Sequence, residues 1–181
     1  MIQTTNTNYV TFKNISFDGG RNNTIDLSVG VGLNFDSCEF LNTGLDGIGF
    51  NNCLKSSVQN STITGAGKNG IWTYNWNLRT NLIDSELLFQ NNDISKVGQW
   101  RYAYMCPFNM YYSVGVSILN NDIHDLPHTA VLFSGNENKI YRNKIYDVCK
   151  KTSDAGAIYC GRDWAYRGNI IKNNFIYNKK L

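Results

Sequence analysis

The sequence predicts an all-β fold, a right-handed parallel β-helix wound as a solenoid of about seven coils. Three observations predict it: a short motif recurring along the whole chain, a second apolar anchor at a fixed distance behind it, and no helical periodicity anywhere. Self-similarity at a regular spacing marks a repeat architecture, and it is sought before any residue-level propensity is weighed.

The motif is six residues long, opens and closes on an apolar side chain, and carries Asn or a similar residue between. Its seven copies are FKNISF, FDSCEF, VQNSTI, FQNNDI, ILNNDI, IYRNKI and IKNNFI, beginning at Phe12, Phe35, Val58, Phe89, Ile118, Ile140 and Ile171. The spacings are 23, 23, 31, 29, 22 and 31 residues, a basal coil of 22 or 23 lengthened in three places. The second anchor follows the motif by eight residues: Phe17 to Ile25, Phe40 to Ile48, Ile63 to Ile71, Ile123 to Val131. From Ile145 to Ile158 the gap is 13 because KKTSD is inserted. Around the anchors the pattern alternates (IGF, IWTY, VLF, IYC), as a strand with one buried face requires.

Strands recurring once per coil, with polar turns between, pair each coil with the next and leave none stable alone. Right-handedness follows from the general preference of parallel crossovers. Seven coils would stack to roughly 34 Å. The Asn column (Asn14, Asn60, Asn91, Asn120, Asn173) and its neighbours (Asn92, Asn121, Asn143, Asn174) fall at one corner, where stacked amides hydrogen-bond up a column and tolerate left-handed turns. The whole of 1–181 reads as one β-helix domain. No amphipathic capping helix is visible at either end, which predicts further coils in a longer protein, or self-association over the ends.

Composition narrows the function. Charged residues make up 17%, the net charge is +3, and no apolar run reaches the ~20 residues of a membrane span, so neither nucleic acid nor a bilayer is the expected partner. The run after Met1 (IQTTNTN) has neither the basic nor the apolar region of a signal peptide. Cys38, Cys53, Cys106, Cys149 and Cys160 are odd in number and lack metal-ligand spacing, so buried reduced thiols are expected and no metal site.

The three insertions flank one sheet, the one carrying Ile25, Ile48, Ile71, Val131 and Ile158, and loops gathered on one face of a rigid scaffold are where function usually lies. Small residues one position before the anchors (Gly47, Gly70, Ala130, Ala157) predict a trough. The positions after them (Gly49, Trp72, Leu132, Tyr159) predict a floor with aromatic platforms. Tyr74, Trp76, Trp100, Tyr102, Tyr104, Trp164 and Tyr166 would add walls, about half of them simply packing the loops down. A groove lined by aromatics and Asn suits a polysaccharide or oligosaccharide, with its apolar ring faces and many hydroxyls. Trp72, Trp100, Tyr159, Arg162 and Trp164 are the expected substrate-binding residues.

Titratable groups gather toward the C-terminal end of that groove. IHDLPH supplies His124, Asp125 and His128, and SDAGAIYCGRDW supplies Asp154, Arg162 and Asp163. Carboxylates ~5–5.5 Å apart suit retaining glycoside hydrolysis and ~6.5–9.5 Å the inverting route. Asp163, Asp154, Asp125 and His128 are accordingly the candidate catalytic residues. Asp125 and Asp147 share a repeat position, two after Ile123 and Ile145, and read equally as turn residues.

From about His124 onward, HDLPHTAVLFSGNENKIYRNKIYDVC and SDAGAIYCGRDWAYRGNIIKNNFIYN resemble the core of bacterial β-helix proteins of the pectate-lyase-like superfamily. The nearest resemblance is to the branch containing glycoside hydrolase family 141. It implies acidic site residues at Asp125, Asp154 and Asp163, with Arg162 and His128 beside them, and a secreted or periplasmic location in a bacterium. Family members are usually longer, with additional coils. The leading expectation is thus a glycoside hydrolase without a cofactor. A polysaccharide lyase, which would bring calcium, is the second, and a non-catalytic carbohydrate-binding solenoid or inactive fragment the third.

Overall fold

A computed structural model describes residues 2–178. Three parallel sheets of seven strands each form the walls of a β-helix, every coil giving one strand to each sheet. The first sheet holds Ile2–Thr5, Ile25–Ser28, Ile48–Asn51, Ile71–Tyr74, Phe108–Val114, Val131–Asn136 and Ile158–Cys160. The second runs from Thr11–Lys13 to Ile170–Lys172 and the third from Ser16–Asp18 to Phe175–Tyr177.

The motif spacing reproduces the pairing residue for residue. Phe12 lies beside Phe35, Phe35 beside Val58, and so on through Phe89, Ile118 and Ile140 to Ile171. These side chains point inward, so like stacks on like along the axis. Phe12 and Phe35 lie 4.8 Å apart and 5° from parallel, while Phe17 and Phe40 stack at 5.3 Å. Toward the C-terminus the same columns become Ile, which packs well on a pleated surface.

The corner between the second and third sheets explains the asparagines. Its first residue (Asn14, Ser37, Asn60, Asn91, Asn120, Arg142, Asn173) is left-handed, with φ between +52° and +58°, a region Asn enters more readily than most. The next residue turns inward. There Asn92 Nδ2 donates to Asn121 Oδ1 at 3.0 Å, Asn121 Nδ2 to Asn143 Oδ1 at 2.9 Å, and Asn143 Nδ2 to Asn174 Oδ1 at 2.9 Å. Each Oδ1 also accepts the preceding coil's backbone N–H, so the ladder satisfies turn amides that no strand can reach. Ser61 does this for Cys38 with a hydroxyl at 3.0 Å.

Two details differ from the sequence reading. Coil three contains a single helical turn, Trp76–Thr80, too short for any apolar period to register; Leu78 pins it to the body. Of the cysteines, Cys38, Cys53 and Cys106 are buried as expected, whereas Cys149 is half-buried and Cys160 exposed, because the last coil has no neighbour over it in the described chain. That coil leaves Ile171, Phe175 and Ile176 about half or more exposed.

Candidate functional site

The outward face of the first sheet carries a cleft of about 410 Å³ over its last three strands. Leu132, Ser134 and Tyr159 form the floor, with Met110 and Phe133 beneath. One wall is the insertion before Phe108–Val114, which brings Arg101 and Tyr104; the opposite wall is the loop after Ile158–Cys160, which brings Arg162 and Tyr166. The insertions of coils four and six therefore do face each other across one sheet.

A bulge completes the cleft. The register between Phe108–Val114 and Val131–Asn136 shifts between Met110 and Ser113, with Tyr112 at φ +50° and Gly135 at φ +120°. The extra residue lets consecutive side chains, Tyr111 and Tyr112, both border the cleft, which a regular strand forbids. Gly135 is required, because a Cβ there would collide with the Ser113 carbonyl. Ser134 fixes the bulge by accepting the Tyr112 N–H at 2.8 Å. Tyr112 is held edge-on by Trp76 at 4.7 Å and by Tyr74 at 5.8 Å.

Arg79, on the short helix, ties the second wall down. Its Nη2 donates to Asp163 Oδ2 at 3.0 Å and its Nε to Asn136 Oδ1 at 3.3 Å, while its guanidinium lies 5.0 Å from the Tyr166 ring and 5.5 Å from that of Tyr112. Asp163 Oδ1 accepts the Ala165 N–H at 2.9 Å, so both carboxylate oxygens are engaged in holding the loop.

The other expected residues divide between the cleft and places away from it. Arg162 and Tyr159 lie together in the cleft; Tyr159 accepts from the guanidinium and Arg162 Nη2 donates to Tyr104 Oη at 3.4 Å, contacts that push the Arg162 pKa above its usual value. His128 is buried behind Tyr104, ring to ring at 5.2 Å, with Nδ1 unpartnered. Burial lowers its pKa, and the charge of Asp154 partly opposes this. Asp154 itself is exposed on the loop before Ile158.

Asp125 is a left-handed turn residue (φ +54°), as is Asp147 (φ +52°), in agreement with their shared repeat position. Asp125 is bonded to His124 Nδ1 at 2.9 Å and Lys150 Nζ at 3.2 Å, which lower its pKa, the histidine contributing most. Trp164 is 99% exposed. Trp100 lies against the Gly44 carbonyl, to which its Nε1 donates at 2.8 Å, and Trp72 sits on the N-terminal half of the sheet face. Asp163, Asp154, Asp125 and His128 are thus not gathered around one cavity, and no carboxylate lines the cleft among the described residues.

The small residues before the anchors do not make a trough. Gly47, Gly70 and Ala130 are buried at the corner preceding the strand, where a Cβ on Gly47 would approach the Gly70 carbonyl to 2.6 Å. They are small because coils abut there. Arg101, Tyr111 and Tyr112 border the cleft without having been singled out. The adjacent tyrosines of MYYSV were the available signal, since two large side chains in a row inside a strand imply a bulge.

No group of three His, Cys, Asp or Glu side chains among the described residues is arranged to hold a metal ion. No family model matches the chain, and no curated protein or solved structure matches it either.

Proposed function

We propose that this β-helix recognises glycans, and that the cleft takes an acidic saccharide unit. The observation that carries the reading is the lining itself: five tyrosines and two arginines around a floor of one sheet, with no carboxylate among them. Tyrosine offers a ring face to a sugar's apolar side and a hydroxyl to its polar edge. Arginine presents a planar fork that meets a carboxylate with two parallel bonds, and Arg162 is oriented for this by Tyr159 and Tyr104. The HDLPH, DAGAIY and GRDW strings support placing the chain among the pectate-lyase-like β-helices, in the branch that includes glycoside hydrolase family 141.

Two catalytic readings build on the same site. In a lyase, Arg162 would neutralise the uronate carboxylate while Tyr159, as phenolate, would take the C5 proton and return it to the departing glycosidic oxygen as the C4–O bond breaks and the C4–C5 double bond forms. Hydrolysis would instead use Asp163, the residue after Arg162 in the loop that forms one wall, after its release from Arg79. The lining favours recognition of an acid over a pair of carboxylates astride a bond.

Affinity electrophoresis in gels containing polygalacturonate, heparosan or neutral glucan tests the reading, with products followed by mass spectrometry. Acidic glycans should retard the protein at least about tenfold more strongly than neutral ones, and Arg162→Ala should remove the difference. Equal retardation by neutral and acidic glycans would refute it. Unsaturated products would add lyase activity. Products carrying one added water, and missing with Asp163→Asn, would make the protein a hydrolase.

A further inference from the structure

The outward face of the first sheet continues past the cleft toward the N-terminus, over Ile71–Tyr74, Ile48–Asn51, Ile25–Ser28 and Ile2–Thr5. A second concavity of about 380 Å³ lies there. Its chemistry differs from that of the cleft. The indole of Trp72 lies against Gly49, whose missing Cβ makes the room; any side chain at 49 would strike the ring. Trp72 Nε1 is buried without a hydrogen-bond partner. Around the indole stand Gln3, Asp26, Ser28 and Asn51, all short or neutral hydrogen-bonding groups except Asp26. Asp26 Oδ1 accepts from Asn23 at 2.8 Å, which leaves its second oxygen available.

We infer that this concavity is a second saccharide subsite, taking a neutral, hydroxyl-rich or amide-bearing sugar stacked on Trp72. The inference rests on the glycan-recognition reading and extends it. A single carboxylate here disfavours an acidic unit, whereas Arg101 and Arg162 favour one in the cleft. The strand carrying Trp72 pairs directly with the one carrying Tyr111, so the two concavities adjoin along the solenoid axis. Trp72 and Tyr159 are three strands apart, about 14 Å at the usual strand spacing, a distance that an oligosaccharide running along the axis bridges. The preferred ligand is therefore a mixed chain in which acidic and neutral units alternate or follow one another, bound lengthwise and in one direction.

Calorimetric titration with oligosaccharides of alternating glucuronic acid and N-acetylglucosamine, from two to eight units, tests this. The wild-type protein should gain affinity with length. Trp72→Ala should weaken the hexasaccharide roughly five- to tenfold while leaving the disaccharide unchanged, and Arg162→Ala should weaken both. Asp26→Asn, which preserves shape, should reduce the length-dependent gain without affecting the disaccharide. Gain with length that persists in Trp72→Ala and Asp26→Asn would overturn the subsite and leave the cleft reading standing. If Arg162→Ala has no effect but Trp72→Ala abolishes hexasaccharide binding, the subsite stands and the acidic cleft falls. Absence of binding at every length would overturn both.

Discussion

Asn121 is 1% exposed and occupies the middle of the buried amide ladder. It makes four hydrogen bonds: Nδ2 donates to Asn143 Oδ1 and to the Phe89 carbonyl at 3.1 Å, and Oδ1 accepts the Asn92 N–H at 2.9 Å and Asn92 Nδ2 at 3.0 Å. In Asn121→Ala, Asn92 Nδ2 still reaches the Val58 carbonyl and Asn143 Oδ1 still accepts the backbone N–H of residue 121. The Asn92 N–H is left without a partner, while the Phe89 carbonyl loses its second bond and keeps the one from the strand ladder beside Ser117–Leu119. One buried group left unpaired costs about 1–3 kcal/mol and the lost bond to Phe89 about 1 kcal/mol, so the variant should lose roughly 2–4 kcal/mol. With an m-value of about 2 kcal/mol/M, urea unfolding should shift its midpoint down by about 1–2 M at unchanged slope. Asn121→Ser should lose about half as much, because a hydroxyl can accept the preceding N–H as Ser61 does for Cys38. Asn120→Gly, one residue away on the exposed corner at φ +55°, should stay within about 0.5 kcal/mol of wild type. A loss below about 1 kcal/mol for Asn121→Ala would refute the account of the ladder as the partner of otherwise unsatisfied turn amides.

Three further outcomes are expected. Thr73 is wholly buried with Oγ1 unpartnered, so the isosteric Thr73→Val should raise stability by about 1 kcal/mol in the same urea assay; a decrease would mean that the hydroxyl has a partner in solution. Gly135→Ala should destabilise by several kcal/mol and disorder the bulge, seen as faster amide exchange of Tyr111 and Tyr112, since it combines φ +120° with a collision at Ser113; ordinary exchange rates there would contradict it. Asp125, whose pKa is lowered by His124 and Lys150, gives stability that is present above the unfolded carboxylate pKa and lost as pH falls through the lower folded value. Between about pH 5 and pH 2 wild type should therefore lose more stability than Asp125→Asn in urea titrations, by less than about 1 kcal/mol because the side chain is well solvated; equal losses would contradict it.

The solenoid was legible almost entirely, and for a physical reason. One inward position per sheet recurs with each coil, so Phe12, Phe35, Val58, Phe89, Ile118, Ile140 and Ile171 announce their own register, and the left-handed corner shows itself as Asn. The site was less legible because it depends on where insertions fold back. Sequence placed Arg162 and Tyr159 on the face where the structure has its cleft, since they adjoin a periodic strand. It had no means of joining Arg79 to Asp163, 84 residues apart, a pair that only the folding back of two insertions brings together. The misreading of Gly47, Gly70 and Ala130 came from carrying strand alternation one residue past the strand's start, into a corner where backbone meets backbone. Tyr111 and Tyr112 escaped because period-two reasoning assigns neighbours to opposite faces.

The amide ladder also has a mechanical meaning. Tension applied along the axis falls on every junction between coils in series, and the bonds across each junction must break together, whereas lateral tension peels strands one at a time. The junctions from Asn92 to Asn174 carry side-chain amides in addition to the backbone ladders, while at the same corner the first two coils present Ile15 and Cys38, which contribute none. A chain stretched between its ends should consequently rupture first at its N-terminal coils and yield the amide-stitched half at a higher force, so that the molecule comes apart in a set order.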